Sequence, residues 1–466
     1  MLVIISDTHL SDGTTGDSIR LEAFRDFRQQ LRDMAYDASW RADGSYKPIE
    51  EFHLILLGDF LDVIRSTRWL GEDGVQSAVR PWSDWQSQPF IDKVAAINTG
   101  VLQKNADSLA VLKSLTDGQS ITLPEATRDG RPAQTHWEPD SPGRVPVKVH
   151  IHCLVGNHDW FYHLPGPAYD RLRQTVIDAV GCDNPAGTPF PHDPYESEVI
   201  RQIYEEHRVF ARHGDIFDAF NFPGNRDSAS LGDAVVVELV DRFAMTVKSE
   251  MSTDLPPACV DGLKEIDNLR PTVIIPVWID DLLHKTCPDS KLQMKVKDIW
   301  DRMVDSLIEL DFVQTHHSGL QLFDSVSDLE WGLKFSKGLL HGDLSNLFAW
   351  ISTKGVTHEA SYSRHAFDEA AFKNRQARFI VYGHTHYYEL VPLASTVSGG
   401  GIFDQIYINS GTWRPYHELA RCHPELEQFV GYQVMTYLAF FKDGESRGRS
   451  FESWCGSLGP SQDATP

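Results

Sequence analysis

Leu2-Val3-Ile4-Ile5-Ser6-Asp7-Thr8-His9 opens the chain, and four later stretches repeat its pattern. They are Leu54-Ile55-Leu56-Leu57-Gly58-Asp59-Phe60-Leu61-Asp62, Leu154-Val155-Gly156-Asn157-His158-Asp159, Val209-Phe210-Ala211-Arg212-His213-Gly214-Asp215 and Phe379-Ile380-Val381-Tyr382-Gly383-His384-Thr385-His386. In each, a short apolar run gives way at once to Asp, His or Asn. Short apolar runs bounded by turn residues read as buried strands. In an open α/β sheet the carboxyl ends of the strands converge on one crevice, and ligands bind there. Residues almost 400 positions apart can therefore meet, and the expected fold class is α/β. The side chains delivered to that crevice are oxygen and nitrogen donors, a set that suits Mn, Fe, Co or Zn.

Singly, the earlier blocks are common polar turns, while Gly383-His384-Thr385-His386 is a stronger signal, since two histidines at period two rarely point into a core without a role. Together and in this order they resemble the calcineurin-like metallophosphoesterase family, whose pattern is D-x-H, G-D-x-x-D, G-N-H-D/E, a lone H and G-H-x-H. All five elements are present without substitution, over roughly residues 1–220 and 375–440. The resemblance implies a two-sheet α/β sandwich and a binuclear metal-dependent phosphohydrolase. It implies one metal on Asp7, His9, Asp59 and His386, and a second on Asp59, Asn157, His213 and His384, with Asp59 as the bridge. Manganese is the first expectation for both ions, with Fe, Zn, Co or Ni as alternatives. Two cations roughly 3.5–4 Å apart clamp the attacking and leaving oxygens, and a hydroxide between them is the expected nucleophile. If residues 383–386 are extended, His384 and His386 point to one side.

His158 follows a metal ligand and is the expected general acid or transition-state stabiliser, with Asp159 fixing its tautomer. Asp62 and Asp215 read as residues that orient the ligands. Arg20, Arg65, His163 and Arg414 lie near the blocks in sequence and are candidates for holding substrate phosphate. Trp69, Trp82, Trp85, Trp160 and Phe161 read as core packing in preference to a stacking platform.

Around the blocks the chain divides into a first core part (1–225), a helical insertion or cap (226–374), a second core part (375–455) and a disordered tail (456–466). Helical spacing covers 19–38, 91–115, 165–180 and, in the insertion, 234–251, 294–310 and 365–375. Residues 116–146 read as a surface loop, and 200–213 as a hairpin or strand pair. Further strands are expected near 387–394, 402–410 and 430–441.

A net charge of −23 disfavours general affinity for nucleic acid. The insertion carries 15 basic against 24 acidic residues, a net −9. It is a poor track for a polyanion and a better lid over a small substrate. Six cysteines without a C-x-x-C pair suggest no disulfide framework and a reducing compartment. With no basic, apolar leader and no membrane-length apolar run, the expectation is a soluble, cytoplasmic protein. Among relatives, UDP-diacylglucosamine hydrolases share the short opening spacing, the His-Gly-Asp block and a helical insertion. They carry Arg where this chain has His158. The expected substrate is a small-molecule phosphodiester or pyrophosphate. The alternatives are a nuclease acting on DNA or RNA ends, a phosphomonoesterase or protein phosphatase, and a non-catalytic scaffold binding partners through the insertion.

Overall fold

The computed structural model describes residues 1–16, 19–71, 77–138, 141–251, 253–269, 274–317, 361–398, 401–420, 422 and 428–458. Its strands are β1 (Leu2–Ile5), β2 (Glu51–Leu57), β3 (Thr122–Pro124), β4 (Arg144–Pro146), β5 (Lys148–Leu154), β6 (Val209–Ala211), β7 (Phe379–Tyr382), β8 (Tyr388–Ser398), β9 (Gly401–Ser410), β10 (Pro415–Leu419), β11 (Phe429–Phe440) and β12 (Phe451–Ser457). The main helices are α1 (Leu21–Ala38), α2 (Gln88–Lys104), α3 (Ala106–Leu115), α4 (Pro167–Val180), α5 (Glu198–His207), α6 (Leu231–Val235), α7 (Arg242–Met251), α8 (Pro257–Lys264), α9 (Ile275–Thr286), α10 (Ser290–Ile308) and α11 (Asp311–His317). The architecture is mixed α/β.

One sheet has the order β10-β11-β1-β2-β5, with β12 also paired to β11. In it β1, β2 and β5 run parallel, with Ile4 beside Ile55 and Leu54 beside Ile151. The other sheet has the order β6-β7-β9-β8, and its β6, β7 and β9 run parallel. The first three blocks thus leave adjacent strands of one sheet, and the last two leave adjacent strands of the other.

Strand alternation explains how the sheets meet. Leu2, Ile4, Ile55, Leu57 and Leu154 share one buried cluster with Val209, Ala211, Phe379, Val381 and Ile408 of the second sheet. Their neighbours Val3, Ile5, Leu54, Leu56 and Cys153 point the other way, into a core with Phe24, Phe27 and Leu31 of α1. Strands buried on both faces carry continuous apolar runs, which is why the blocks follow runs and not alternating patterns. Residues 231–313 enclose a further apolar cluster of their own, centred on Phe243, Val277, Trp300 and Val304. No helix among the described residues is long and apolar enough to cross a membrane.

Several local expectations change. The helix expected over 91–115 is broken at Asn105 (φ −105°, ψ 16°) into α2 and α3. The loop expected over 116–146 contains the β3–β4 pair. The expected hairpin over 200–213 is α5 followed by β6, joined by Arg208 in the left-handed region. Its apolar positions Ile200, Ile203, Tyr204 and His207 have helical spacing and face inward. Residues 456–457 belong to β12, and 459–466 lie outside the described residues, as does 318–360 of the expected insertion. Cys153 and Cys182, far apart in sequence, bring their buried thiols to 2.7 Å. Trp69, Trp160 and Phe161 are core residues, and Trp82 stacks on Phe312.

Candidate metal centre

Asp7, His9, Asp59, His384 and His386 all sit at positive φ, at 51°, 46°, 50°, 68° and 66°. A left-handed conformation costs a non-glycine residue about 1–2 kcal/mol. Such strain persists where surrounding structure enforces it, and it gathers at functional sites. Here it turns strand-end side chains inward. Residues 383–386 are therefore bent, not extended, and the two histidines diverge. His386 Nε2 lies 3.5 Å from Asp7 Oδ1 and 3.0 Å from His9 Nε2. His384 Nδ1 lies 3.0 Å from Asn157 Oδ1.

Two outer groups of donors result, Asp7, His9 and His386, and Asp59, His213 and His384, and a third, His9, Asp59 and His158, overlaps both. Asp59 stands between them. Its Oδ2 is 3.7 Å from His9 Nε2 and 3.2 Å from His213 Nε2, while its Oδ1 accepts the His158 backbone N–H at 2.8 Å. Gly58 and Gly156 make room for this. A Cβ on Gly58, at φ +87°, would come within 2.7 Å of His213 Nδ1, and one on Gly156 would collide with Asp59 Oδ1. His213 Nδ1 donates to the Leu57 carbonyl at 3.0 Å. Its Nε2 is buried and faces Asp59 Oδ2, with no hydrogen-bond partner among the described residues. A buried ring nitrogen this close to a buried carboxylate needs a proton or a cation between them. The donor set fits two divalent cations.

The electrostatics agree. Burial pushes the Asp7 carboxyl up to about 6 and the His9 imidazole down to about 3. Burial would also raise Asp59, but His213 and His158 hold it below the ordinary carboxylate range. For His213 burial acts downward and is overcome by Asp59 and Asp7, which drive it to about 10. Clustered carboxylates demand positive charge, which protons or metal ions can supply.

The outer layer differs from expectation in one respect. Asp62 holds both His9 Nδ1 (2.8 Å) and His158 Nδ1 (3.0 Å). Asp159, expected to orient His158, instead accepts the backbone N–H groups of Gly156 (2.6 Å) and Phe60 (3.0 Å). It pins the second and third blocks together, and burial, with Asp59 nearby, raises it to about 7. Asp215 pairs with Arg226 at 2.7 Å, and Arg226 donates to the Gly156 carbonyl at 3.0 Å. Asp218 had no signal in the sequence: its Oδ2 lies 3.1 Å from His384 Nε2, leaving Nδ1 to face the centre. The turn at 409–412, just before Arg414, braces the blocks from the far side. Thr412 Oγ1 donates to the Asp7 carbonyl (2.6 Å) and Asn409 Nδ2 to the Gly383 carbonyl (2.8 Å).

The four substrate candidates separate. Arg20 is exposed, just before α1. His163 turns to Asp227 and Glu196, away from the two donor groups. Arg65 and Arg414 are buried and share one partner from the insertion, Asp267, with Arg65 Nε 3.1 Å from its Oδ1 and Arg414 Nη2 paired to its Oδ2. Arg65 Nε also lies 3.5 Å from Asp62, so this pair adjoins the centre. No protein-family model and no curated protein matches the chain.

Proposed function

We propose that this chain is a binuclear metal-dependent phosphoester hydrolase with a fold of the calcineurin-like metallophosphoesterase type. The observation that carries the reading is Asp59, one carboxylate oxygen of which faces a histidine from each donor group. Asp7, His9, Asp59 and His386 would hold one ion, and Asp59, Asn157, His213 and His384 the other, with manganese the first choice. Bound there, two such ions supply Lewis acidity and an activated water at neutral pH.

The protein's own groups do the rest. His158 is held at Nδ1 by Asp62, which leaves Nε2 to give a proton to the departing oxygen as the P–O bond breaks. Burial works against a charged His158, but Asp62 and Asp59 outweigh it and raise its pKa. Asp62 is its positioning residue. Asp159 and Asp215 fix the loop that carries Asn157 and His158. The acidic insertion favours a small phosphodiester or pyrophosphate over nucleic acid.

Elemental analysis of protein loaded with Mn should approach two equivalents per chain. The loaded protein should then hydrolyse small substrates from a panel of p-nitrophenyl phosphate, bis-p-nitrophenyl phosphate, cyclic nucleotides, UDP-sugars and single-stranded DNA. Near-zero metal with the ligands intact overturns the reading, and a clear preference for DNA replaces the substrate class with a nuclease's.

A further inference from the structure

A second cluster of metal-ligand chemistry lies apart from Asp59. His163 ends a short helical turn (Trp160–His163) directly after the third block. His192 and Glu196 flank a second turn, and Asp227 stands at the start of the expected insertion. The Glu196 carboxylate faces both rings: its Oε1 is 3.1 Å from His192 Nδ1 and its Oε2 is 3.6 Å from His163 Nε2. One ligand atom from each of His163, His192 and Glu196 lies within 4.8 Å of the others. In a tetrahedral zinc site with Zn–N of about 2.0–2.1 Å, neighbouring ligand atoms stand about 3.3 Å apart. The two measured separations bracket that value.

Two further features mark the cluster as built. His163 Nδ1 is 2.6 Å from Asp227 Oδ1, so the ring donates there and presents Nε2. Histidine ligands are commonly oriented in this way, by a carboxylate on the far nitrogen. His192 Nδ1 is buried and faces Glu196 Oε1 at 3.1 Å, with no hydrogen-bond partner among the described residues. The turn itself is held independently: Asp193 accepts the Tyr195 N–H at 2.9 Å and pairs with Arg212 at 3.0 Å.

We propose that His163 Nε2, His192 Nδ1 and the Glu196 carboxylate bind a further divalent cation of the zinc class, with Asp227 as the residue that orients His163. Two imidazoles and a carboxylate suit zinc or cobalt. Bound there, the ion ties the third block, the 192–196 turn and the start of the insertion to one point. Arg226, next to Asp227, already grips the Gly156 carbonyl, so the ion's effect is to stiffen that junction. A proton is its competitor. Burial would lower the His163 pKa, but the carboxylates of Asp227 and Glu196 raise it to about 9.

The test is titration of metal-free, full-length protein with Co²⁺, following bound equivalents and the visible absorption of the ion. Wild type should bind one equivalent more than His192→Ala and than Glu196→Gln, and Asp59→Asn should keep that equivalent. Should the binuclear reading fail, wild type still binds one ion and the two variants none. Equal binding by wild type and both variants overturns the proposal. So does a His163 ring that ¹⁵N NMR shows doubly protonated at pH 7 in excess Zn²⁺.

Discussion

Asp59 Oδ2 faces His9 Nε2 and His213 Nε2 from opposite donor groups, so its loss should reach both. Asp59→Asn should reduce bound Mn from two equivalents towards none, whereas His386→Ala should weaken one group. Normal metal content and turnover in Asp59→Asn would remove the bridging role. The His158 pair makes a different demand. His158→Gln should retain metal and lose about 10²–10⁴-fold in turnover of esters with poor leaving groups, the usual worth of a general acid. Asp62→Asn should follow it, because Asp62 holds His158 Nδ1, and should also weaken metal binding through His9. Activated p-nitrophenyl esters, which need little protonation, should suffer less. Equal losses on both kinds of ester would assign His158 to binding or charge stabilisation.

At the scale of elements, histidines in unusual places set the acid limit of the fold. His207 ends α5, where a charged imidazole would normally be favoured by the helix dipole. Burial wins and lowers its pKa to about 2, with Nδ1 donating to the Ile203 carbonyl at 2.7 Å. His53 on β2 and His152 on β5 face each other at 3.3 Å, and burial with mutual repulsion lowers His53 to about 3, while burial lowers His152 to about 4. The unfolded chain protonates these rings below about pH 6.5 and the folded chain does not. Unfolded protein therefore binds more protons, and stability present above that pH is lost on acidification. Their share of the stability should fall from pH 7 to pH 5, each fully buried neutral ring contributing up to about 1.4 kcal/mol per pH unit, against the opposite share of His213 and His163, whose pKa values are raised. His207→Gln should flatten the slope. A pH profile of the urea midpoint left unchanged by His207→Gln would show that this ring is charged in the fold.

Across the whole molecule, the apolar cluster of residues 231–313 and the core beneath β1, β2 and β5 are coupled through charge. Asp267 binds Arg65 beside the centre and Arg414 beyond β9. All three are buried. Removing one member of a buried ionic group leaves the others uncompensated and costs about 3–5 kcal/mol. Asp267→Asn should lower the denaturation midpoint accordingly while leaving two Mn equivalents in place, since Asp267 is not a donor in either group. Loss of metal in a folded Asp267→Asn protein would show that the Arg65–Asp62 contact also supports His9.

The strand-end donors were legible in the sequence alone, because each block is a local pattern: an apolar run buried on both faces and a polar turn, with a glycine before the turn at 58, 156 and 383. Every residue of the two donor groups stands in such a block. Helical spacing within one segment also marked α1, α4 and α10. Tertiary structure alone decided which carboxylate serves which histidine. Asp159 is the sequence neighbour expected to orient His158, yet the turn after Asn157 points His158 across to Asp62 and Asp159 back to Gly156. The same holds for Arg65 and Arg414 meeting at Asp267, for Asp218 behind His384, and for His163 joining His192 and Glu196. These pairings depend on which loops face one another once the two sheets have packed, and periodicity within a segment carries no record of that.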